Sequence, residues 1–351
     1  MDKINVNGRI IGPNEKPYFI AEIGSNHNGD MELCKRLIDA AVTAGVDAVK
    51  FQSWSVSSLI SKAEYARNTQ YADKKKHFGT LQEMVEKYQF TPTQHKEILA
   101  YCDTKKVTFL SSCFSPGEVD LLLSLDVPVL KIASMDINYL QLLEYIGKTG
   151  RPVILSTGMA TLGEVERAIR VLKSNGSGPI ALLHCISIYP PEYDSIHLRN
   201  IPMLQMAFDL PVRFSEHSFG TSIPIAAIAM GACIIEKHFT LDKDMEGWDH
   251  AISADPIEME TIVREGVHVY KALGSATRIV SKAEEEKKKK FRRRIVAKRA
   301  MKKGDMIGVG DIDYKRPGTG IHPDEYGYII GRSLNRDVDA DEELEWRDFL
   351  G

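Results

Sequence analysis

The chain has no cysteine pair spaced as CxxC. Its five cysteines, Cys34, Cys102, Cys113, Cys185 and Cys233, are scattered and odd in number. That argues against a disulfide framework or a thiolate zinc site and fits a reducing compartment. No apolar run approaches the ~20 residues that span a bilayer. The opening MDKINVNGRI carries no apolar signal region, so a cytoplasmic protein is expected. Net charge is only −3 over 351 residues, and nothing global draws the chain to nucleic acid or to a membrane. No GxGxxG follows the first predicted strand, which leaves an open dinucleotide-binding sheet with little support.

What is present is an alternation. From residue 18 to about 275, short apolar or β-branched runs alternate with longer amphipathic segments. The predicted strands are YFIAEIG, DAVKFQS, VTFLSSCF, VLKIAS, PVILSTG, IALLHCIS, VRFSEHS and CIIEKHFT. Helical stretches such as MELCKRLIDAAVTAG, TPTQHKEILAYCDTKK and TLGEVERAIRVLKSNG lie between them, several closed by glycine at Gly45, Gly176 and Gly231. Eight β/α units in ~250 residues predict a (β/α)8 TIM barrel. Ahead of them, INVNGRIIG predicts a hairpin turning at Asn7-Gly8, placed to plug one end of the barrel. Near residue 280 the texture changes to SKAEEEKKKKFRRRIV, where Glu284, Glu285 and Glu286 precede Lys288, Lys289 and Lys290 by four residues. That order favours a solvated helical linker over a nucleic-acid-binding run. Turn signals in KKGD, GVGD, RPGTG and HPDEYG then predict a small β-rich module. The expected organisation is a barrel over 1–278, a charged linker over 279–292 and the small module over 293–351.

Every predicted strand ends in polar residues: Glu22 and the Asn26-His27-Asn28 turn; Lys50 and Gln52; Ser111 and Ser112; Lys131 and Ser134; Ser156 and Thr157; His184, Ser187 and Tyr189; Ser215 and His217; Glu236, Lys237 and His238. Unpaired charge is costly to bury, and the C-terminal rim of a β/α barrel is where catalytic groups sit. Lys50 and Lys131 with the serines suit a phosphate or carboxylate. A Schiff-base role and simple pairing with local carboxylates stay open for each lysine. His217 and His238 close two successive strands, each flanked by a carboxylate, Glu216 and Glu236. Two neutral imidazoles facing one mouth make a half-site for a divalent cation, with substrate oxygen or water completing it. Glu236 would orient an imidazole or accept from a substrate hydroxyl. His27 reads as a turn-shaping or lining residue, and His184 as packing or lining. Asp249 and His250 in EGWDHAIS sit on a loop over the mouth. Cys113 and Cys185 have no base beside them and read as structural.

The motifs IAEIGSNHNGD, AVKFQ, KIAS, LSTGMA, LLHCISIYP, FSEHSFG and EKHFT, followed by KRPGTGI, closely resemble the sialic acid synthase family of N-acetylneuraminate, legionaminate and pseudaminate synthases. The likeness runs in order along essentially the whole chain. It implies a transferase that condenses phosphoenolpyruvate with an open-chain N-acyl hexosamine, such as N-acetylmannosamine or a diacetamido-dideoxyhexose. The products would be a nine-carbon 2-keto-3-deoxy acid and phosphate. It further implies a barrel followed by a module similar to type III antifreeze protein, in a domain-swapped homodimer. By position, Lys50, Ser112, Lys131, Ser134, Ser156, Ser187 and Ser215 would hold phosphoenolpyruvate. His217 and His238 would bind manganese or magnesium, and Glu22 would be the general acid/base. Gln52, Asp136, Tyr189 and Asp249 would face the sugar, with Arg316 reaching across the dimer. Departures from the family pattern, SSCF, Asp136, Ser187 and GWDH, fall mostly where sugar is handled and put the substrate's identity in doubt. The competing readings are a sister enzyme condensing phosphoenolpyruvate with a phosphorylated aldose, a metal-dependent barrel hydrolase, and a non-catalytic glycan-binding barrel.

Overall fold

The computed structural model describes residues 3–68 and 79–349, with the backbone alone of 72–73 and 76–77. Residues 1–2 and 350–351 of the expected domain spans lie outside the described residues. The chain divides into two compact units, Met1–Gly274 and Ser275–Gly351.

In the first unit, β1 (Ile4–Val6) and β2 (Arg9–Ile11) pair antiparallel around Asn7 and Gly8, both with positive φ. Two successive positive φ values are what a tight hairpin turn with the native strand twist requires. Eight strands follow: β3 (Tyr18–Gly24), β4 (Ala48–Ser53), then, after the small ribbon of β5 (Ala72–Asp73) and β6 (Lys76–His77), β7 (Thr108–Cys113), β8 (Leu130–Ile132), β9 (Val153–Ser156), β10 (Ile180–Cys185), β11 (Val212–Glu216) and β12 (Ile234–His238). Every barrel pairing is parallel, and β12 pairs with β3, so the sheet closes into an eight-stranded barrel.

The helices outside it are α1 (Met31–Thr43), α5 (Pro92–Lys105), α6 (Pro116–Ser124), α7 (Leu140–Lys148), α8 (Leu162–Ser174), α9 (Asn200–Phe208), α10 (Ser222–Ala229) and α11 (Pro256–Leu273). Their starts are written locally. Asp30 caps α1; Thr161 with Glu164 and Asp255 with Glu258 form reciprocal capping boxes on α8 and α11. Between β4 and α5 the sequence has no clear period. There the chain makes α2 (Val56–Leu59), α3 (Lys62–Arg67) and α4 (Leu81–Tyr88) around a cluster of Trp54, Tyr65, Tyr88 and Phe114.

Alternation along each strand creates two cores. One set of side chains, including Phe19, Val49, Phe109, Leu155 and Phe214, packs outward against the helices. The other set, Tyr18, Ile20, Ala48, Leu110, Ile154, Leu183 and Ile234 among them, fills the barrel interior. Ile4, Val6 and Ile11 of the hairpin belong to this inner cluster, so the hairpin plugs the N-terminal end of the barrel. At the opposite end the last inward side chain of every barrel strand except β10, which ends in Cys185, is polar.

In the second unit, α12 (Lys282–Phe291) precedes β13 (Arg294–Ala297), which pairs antiparallel with β14 (Ile312–Lys315). A small core of Ile295, Met301, Ile307, Ile321, Ile329, Leu334 and Leu344 holds the module together. On α12 the ion pairs are Glu285–Lys288 and Glu286–Lys289, each at 2.8 Å. They use the i,i+3 spacing rather than the expected i,i+4, because both spacings share a face. No helix among the described residues is long and apolar enough to cross a membrane.

Candidate functional site

The register carries the site. In neighbouring strands Gln52 lies opposite Ser112, Ser112 opposite Lys131, Ser215 opposite Glu236, and His238 opposite Glu22. These side chains and Lys50 and Ser156 point into the mouth. Ser134, Ser187, Tyr189 and His217, just past their strand ends, join them around one cavity of about 350 Å³. Phe114, Met135, Met159 and Cys185 add its apolar wall. Two glycines make room. Gly24 sits at a register shift with φ of 54°, and a Cβ there would come within 3.2 Å of both Gln52 Nε2 and Glu22 Oε1. At Gly158 a Cβ would collide with Ser187 Oγ, Ser134 Oγ and Cys185 Sγ.

Lys50 Nζ stands 2.7 Å from Glu22 Oε2 and 3.7 Å from Glu236 Oε1, and donates to Ser112 Oγ at 3.3 Å. Gln52 donates to Glu22 Oε1 at 2.7 Å, and Ser215 to Glu236 Oε1 at 3.1 Å. The local carboxylate pairing left open for the lysines is thus made by Lys50. Lys131 differs: it donates to Ser156 Oγ at 2.6 Å and to the Ile132 carbonyl at 3.3 Å, and makes no ion pair among the described residues. All four charged groups are buried, and their titration divides them. Burial pushes Glu22 up, against the pull of Lys50, so its carboxyl holds a proton more readily than usual. Burial would also raise Glu236, but Lys50, Lys131 and the Ser215 hydroxyl outweigh it and keep Glu236 ionised. For Lys50, Glu22 and Glu236 overcome the effect of burial and raise it, whereas burial lowers Lys131.

The rings of His217 and His238 are 5.4 Å apart between centroids. Imidazoles sharing one ion, with metal–nitrogen bonds of about 2.1 Å, have centroids about 4.5–5.2 Å apart, so the pair fits with a small adjustment. The Nδ1 of His217 lies 2.7 Å from the Ile186 carbonyl, which assigns the proton there and leaves the Nε2 lone pair free. Burial lowers His217 to about 4; burial, with His217 alongside, holds His238 well below its ordinary value. Both rings are neutral at physiological pH, the form that ligates. Among the described residues the Nδ1 of His238 is buried without a hydrogen bond, and it lies 3.7 Å from Asp249 Oδ2. Among the described residues no three His, Cys, Asp or Glu side chains converge as a closed metal centre. An ion held by this pair would therefore need water or substrate to fill its other positions.

Three residues expected at the sugar are placed otherwise than on the cavity wall. Asp136 lies in the turn Ser134–Asp136 behind it, where burial and then Glu118 push its carboxyl up to about 7. Asp249 approaches His238 from the turn after β12. Arg316 belongs to the second unit, its guanidinium 5.5 Å above the Phe291 ring. Other strand-end polar groups face away from the mouth. His27 stacks on Phe90 at 3.9 Å, His184 Nε2 meets the Ile196 carbonyl at 2.8 Å, and His250 Nδ1 meets Thr240 Oγ1 at 2.6 Å. Ser111 bonds Ser53 at 2.7 Å on the helix-facing side. Glu236, expected to orient an imidazole or accept from a substrate hydroxyl, lies 3.7 Å from Lys50 and accepts from Ser215. Its signal was its position two residues before His238, on the same face of the strand.

Fold and cavity together define a (β/α)8-barrel protein with a polar, imidazole-bearing site at its C-terminal rim and a small β-rich second unit. Residues 37–278 match the model of the NeuB family, and residues 292–350 match the SAF domain. The chain belongs to the NeuB family. An uncharacterised protein of Methanocaldococcus jannaschii is 41% identical over the full length of both chains. The N,N'-diacetyllegionaminic acid synthase of Campylobacter jejuni is 40% identical, over 93% of this chain and 98% of its own. Among solved structures, the N-acetylneuraminic acid (sialic acid) synthetase of Leptospira borgpetersenii superposes with a TM-score of 0.73 at 34% identity, covering 82% of this chain and 95% of that one.

Proposed function

We propose that the chain condenses phosphoenolpyruvate with the open-chain aldehyde of an N-acyl hexosamine, yielding a nine-carbon 2-keto-3-deoxy acid and phosphate. One observation carries the reading: Lys50, Lys131, the serines and the His217/His238 pair line a single cavity of about 350 Å³. The names of the relatives support the product class, and the one named for N,N'-diacetyllegionaminic acid favours a diacetamido sugar. Lys50 and Lys131 are the cations among the described lining residues, enough for one phosphate and one carboxylate. That favours a non-phosphorylated sugar over the phosphorylated aldose of the sister enzymes.

In this reading Lys131 with Ser134 and Ser156, and Lys50 with Ser112 and Ser215, bind the two anionic groups of phosphoenolpyruvate by charge-assisted hydrogen bonds. Ser187 closes the same pocket. C3 of phosphoenolpyruvate attacks the aldehyde carbon, and a carbon–carbon bond forms. Water adds at C2, and the resulting tetrahedral centre expels phosphate with cleavage of the C2–O bond. The fixed lysines offset negative charge throughout without reorganising. Glu22, biased toward its protonated form, exchanges a proton next to the reacting carbons. Glu236 stays anionic and holds Lys50 in place. A manganese or magnesium ion on His217 and His238 would supply Lewis-acid polarisation of the aldehyde oxygen. Tyr189, its ring tilted 34° at 4.2 Å from that of His217, and Gln52 would orient the sugar from the cavity wall, and Asp249 from beside His238.

The proposal extends to a domain-swapped homodimer in which a second copy supplies Arg316 to the sugar. Met135, Met159, Ile188 and Phe219, exposed apolar side chains on the loops that follow successive barrel strands, support a covered mouth. The test is phosphate release from phosphoenolpyruvate in the presence of manganese, against a panel that includes N-acetylmannosamine and diacetamido-dideoxyhexoses. Release is expected only when an N-acyl hexosamine is added; no release with any member of the panel refutes the proposal.

A further inference from the structure

The alternation that turns Glu236 and His238 into the cavity turns Lys237 the other way, behind the barrel wall. Glu216, one residue before His217, is turned the same way on the neighbouring strand. Both are 1% exposed. Neither lines the cavity, yet both converge on one residue. Lys237 Nζ donates to the carbonyl of Ser218, and Glu216 Oε1 accepts from the Ser218 N–H. Ser218 directly follows His217, and the N–H in question belongs to the peptide that joins them. Glu216 and Glu258 offset the charge of Lys237, and Lys243 is the other cation facing it, itself 2.5 Å from Glu258. Among the described residues Lys237 has one hydrogen bond, to that loop carbonyl. Among the described residues the second oxygen of Glu216 and the Ser218 hydroxyl are buried without hydrogen-bond partners.

A buried cation and carboxylate spent on a single loop residue are a poor way to stabilise a fold. An apolar pair of similar shape would do as well or better. What charge-assisted bonds to both sides of Ser218 provide is direction. The His217 ring is tied from the opposite side by the Ile186 carbonyl. We infer that Lys237 and Glu216 are positioning residues that clamp the peptide after His217 from behind the barrel wall and set the angle at which its imidazole meets the ion shared with His238. The inference rests on the divalent-ion site of the proposed function. Groups that orient a metal-ligating histidine typically change metal affinity about 10–100-fold when removed.

The experiment titrates the full-length protein with manganese, reading free ion by electron paramagnetic resonance. Phosphoenolpyruvate affinity is measured separately by calorimetry without metal. Lys237→Met is expected to weaken manganese binding ~10-fold or more while phosphoenolpyruvate affinity stays within ~2-fold. Glu216→Leu is expected to do the same, and carries the test alone should Lys237→Met not fold. Glu216→Gln, which keeps an oxygen for the Ser218 N–H, should restore affinity to within ~3-fold of the parent. Lowered thermal stability with unchanged manganese affinity in both Lys237→Met and Glu216→Leu overturns the clamp and leaves the metal site standing. A parent that takes no ion, or that binds as well after His217→Ala, overturns the metal reading and the clamp with it.

Discussion

His238 joins two roles at one position, an end-of-strand place in the register and a neutral ring facing His217. His238→Ala is expected to lower turnover ~100–1000-fold, the scale of removing a fixed electrostatic stabiliser, and to abolish the response to added manganese. Circular dichroism should show the fold retained. Asp136 gives a pH signature instead. Its folded carboxyl is pushed up to about 7 from 3.8, first by burial and then by Glu118, with Lys131 partly opposing. Between those values the folded state holds a proton the unfolded chain has released, so stability falls as pH rises. Asp136→Asn, neutral at every pH, should flatten the decline that urea denaturation of the parent shows from about pH 4 to about pH 7. Much of this chemistry was legible from strand pattern alone, because Ser215 and His217 must share a face, as must Glu236 and His238. What one strand cannot reveal is its neighbours' charge. That Lys50 would pair with Glu22 follows from the cross-strand register, whereas Glu236, whose register partners are Ser215 and Ile20, meets Lys50 across the barrel mouth.

At the scale of elements, the N-terminal hairpin acts as a stopper. Its Asn-Gly turn announced it, and Ile4, Val6 and Ile11 complete the inner core at the end away from the site. Ile11 is fully buried, so Ile11→Ala should cost about 2–5 kcal/mol. Calorimetry should show a lower melting temperature with Km for phosphoenolpyruvate unchanged; a matching rise in Km would mean the two ends of the barrel are coupled. The stretch between β4 and α5 was not legible. Its order comes from an aromatic cluster of Trp54, Tyr88, Phe114 and their neighbours, drawn from separated segments that leave no period in any one of them. Conversely, α1, α5 and α8 carried their boundaries in capping residues and apolar spacing, and lie where the pattern put them.

For the whole molecule, two compact units raise the question of how the second serves the first. Arg316 sits in the turn-rich module, its guanidinium over Phe291, while the cavity belongs entirely to the barrel. If a second copy delivers Arg316 to the sugar, Arg316→Ala should raise Km for the sugar ~10–100-fold, the loss of one charge-assisted hydrogen bond, and leave phosphoenolpyruvate binding nearly unchanged. Equal losses in both would remove the cross-copy role. The account as a whole turns on a cation and a phosphate ester meeting at the strand ends. Crystals grown with manganese and phosphoenolpyruvate test that directly through anomalous scattering at the manganese edge. One peak within bonding distance of both His217 and His238, with the ester's anionic groups on Lys50 and Lys131, is the predicted result. A peak elsewhere, or an ester bound away from the two lysines, would contradict it.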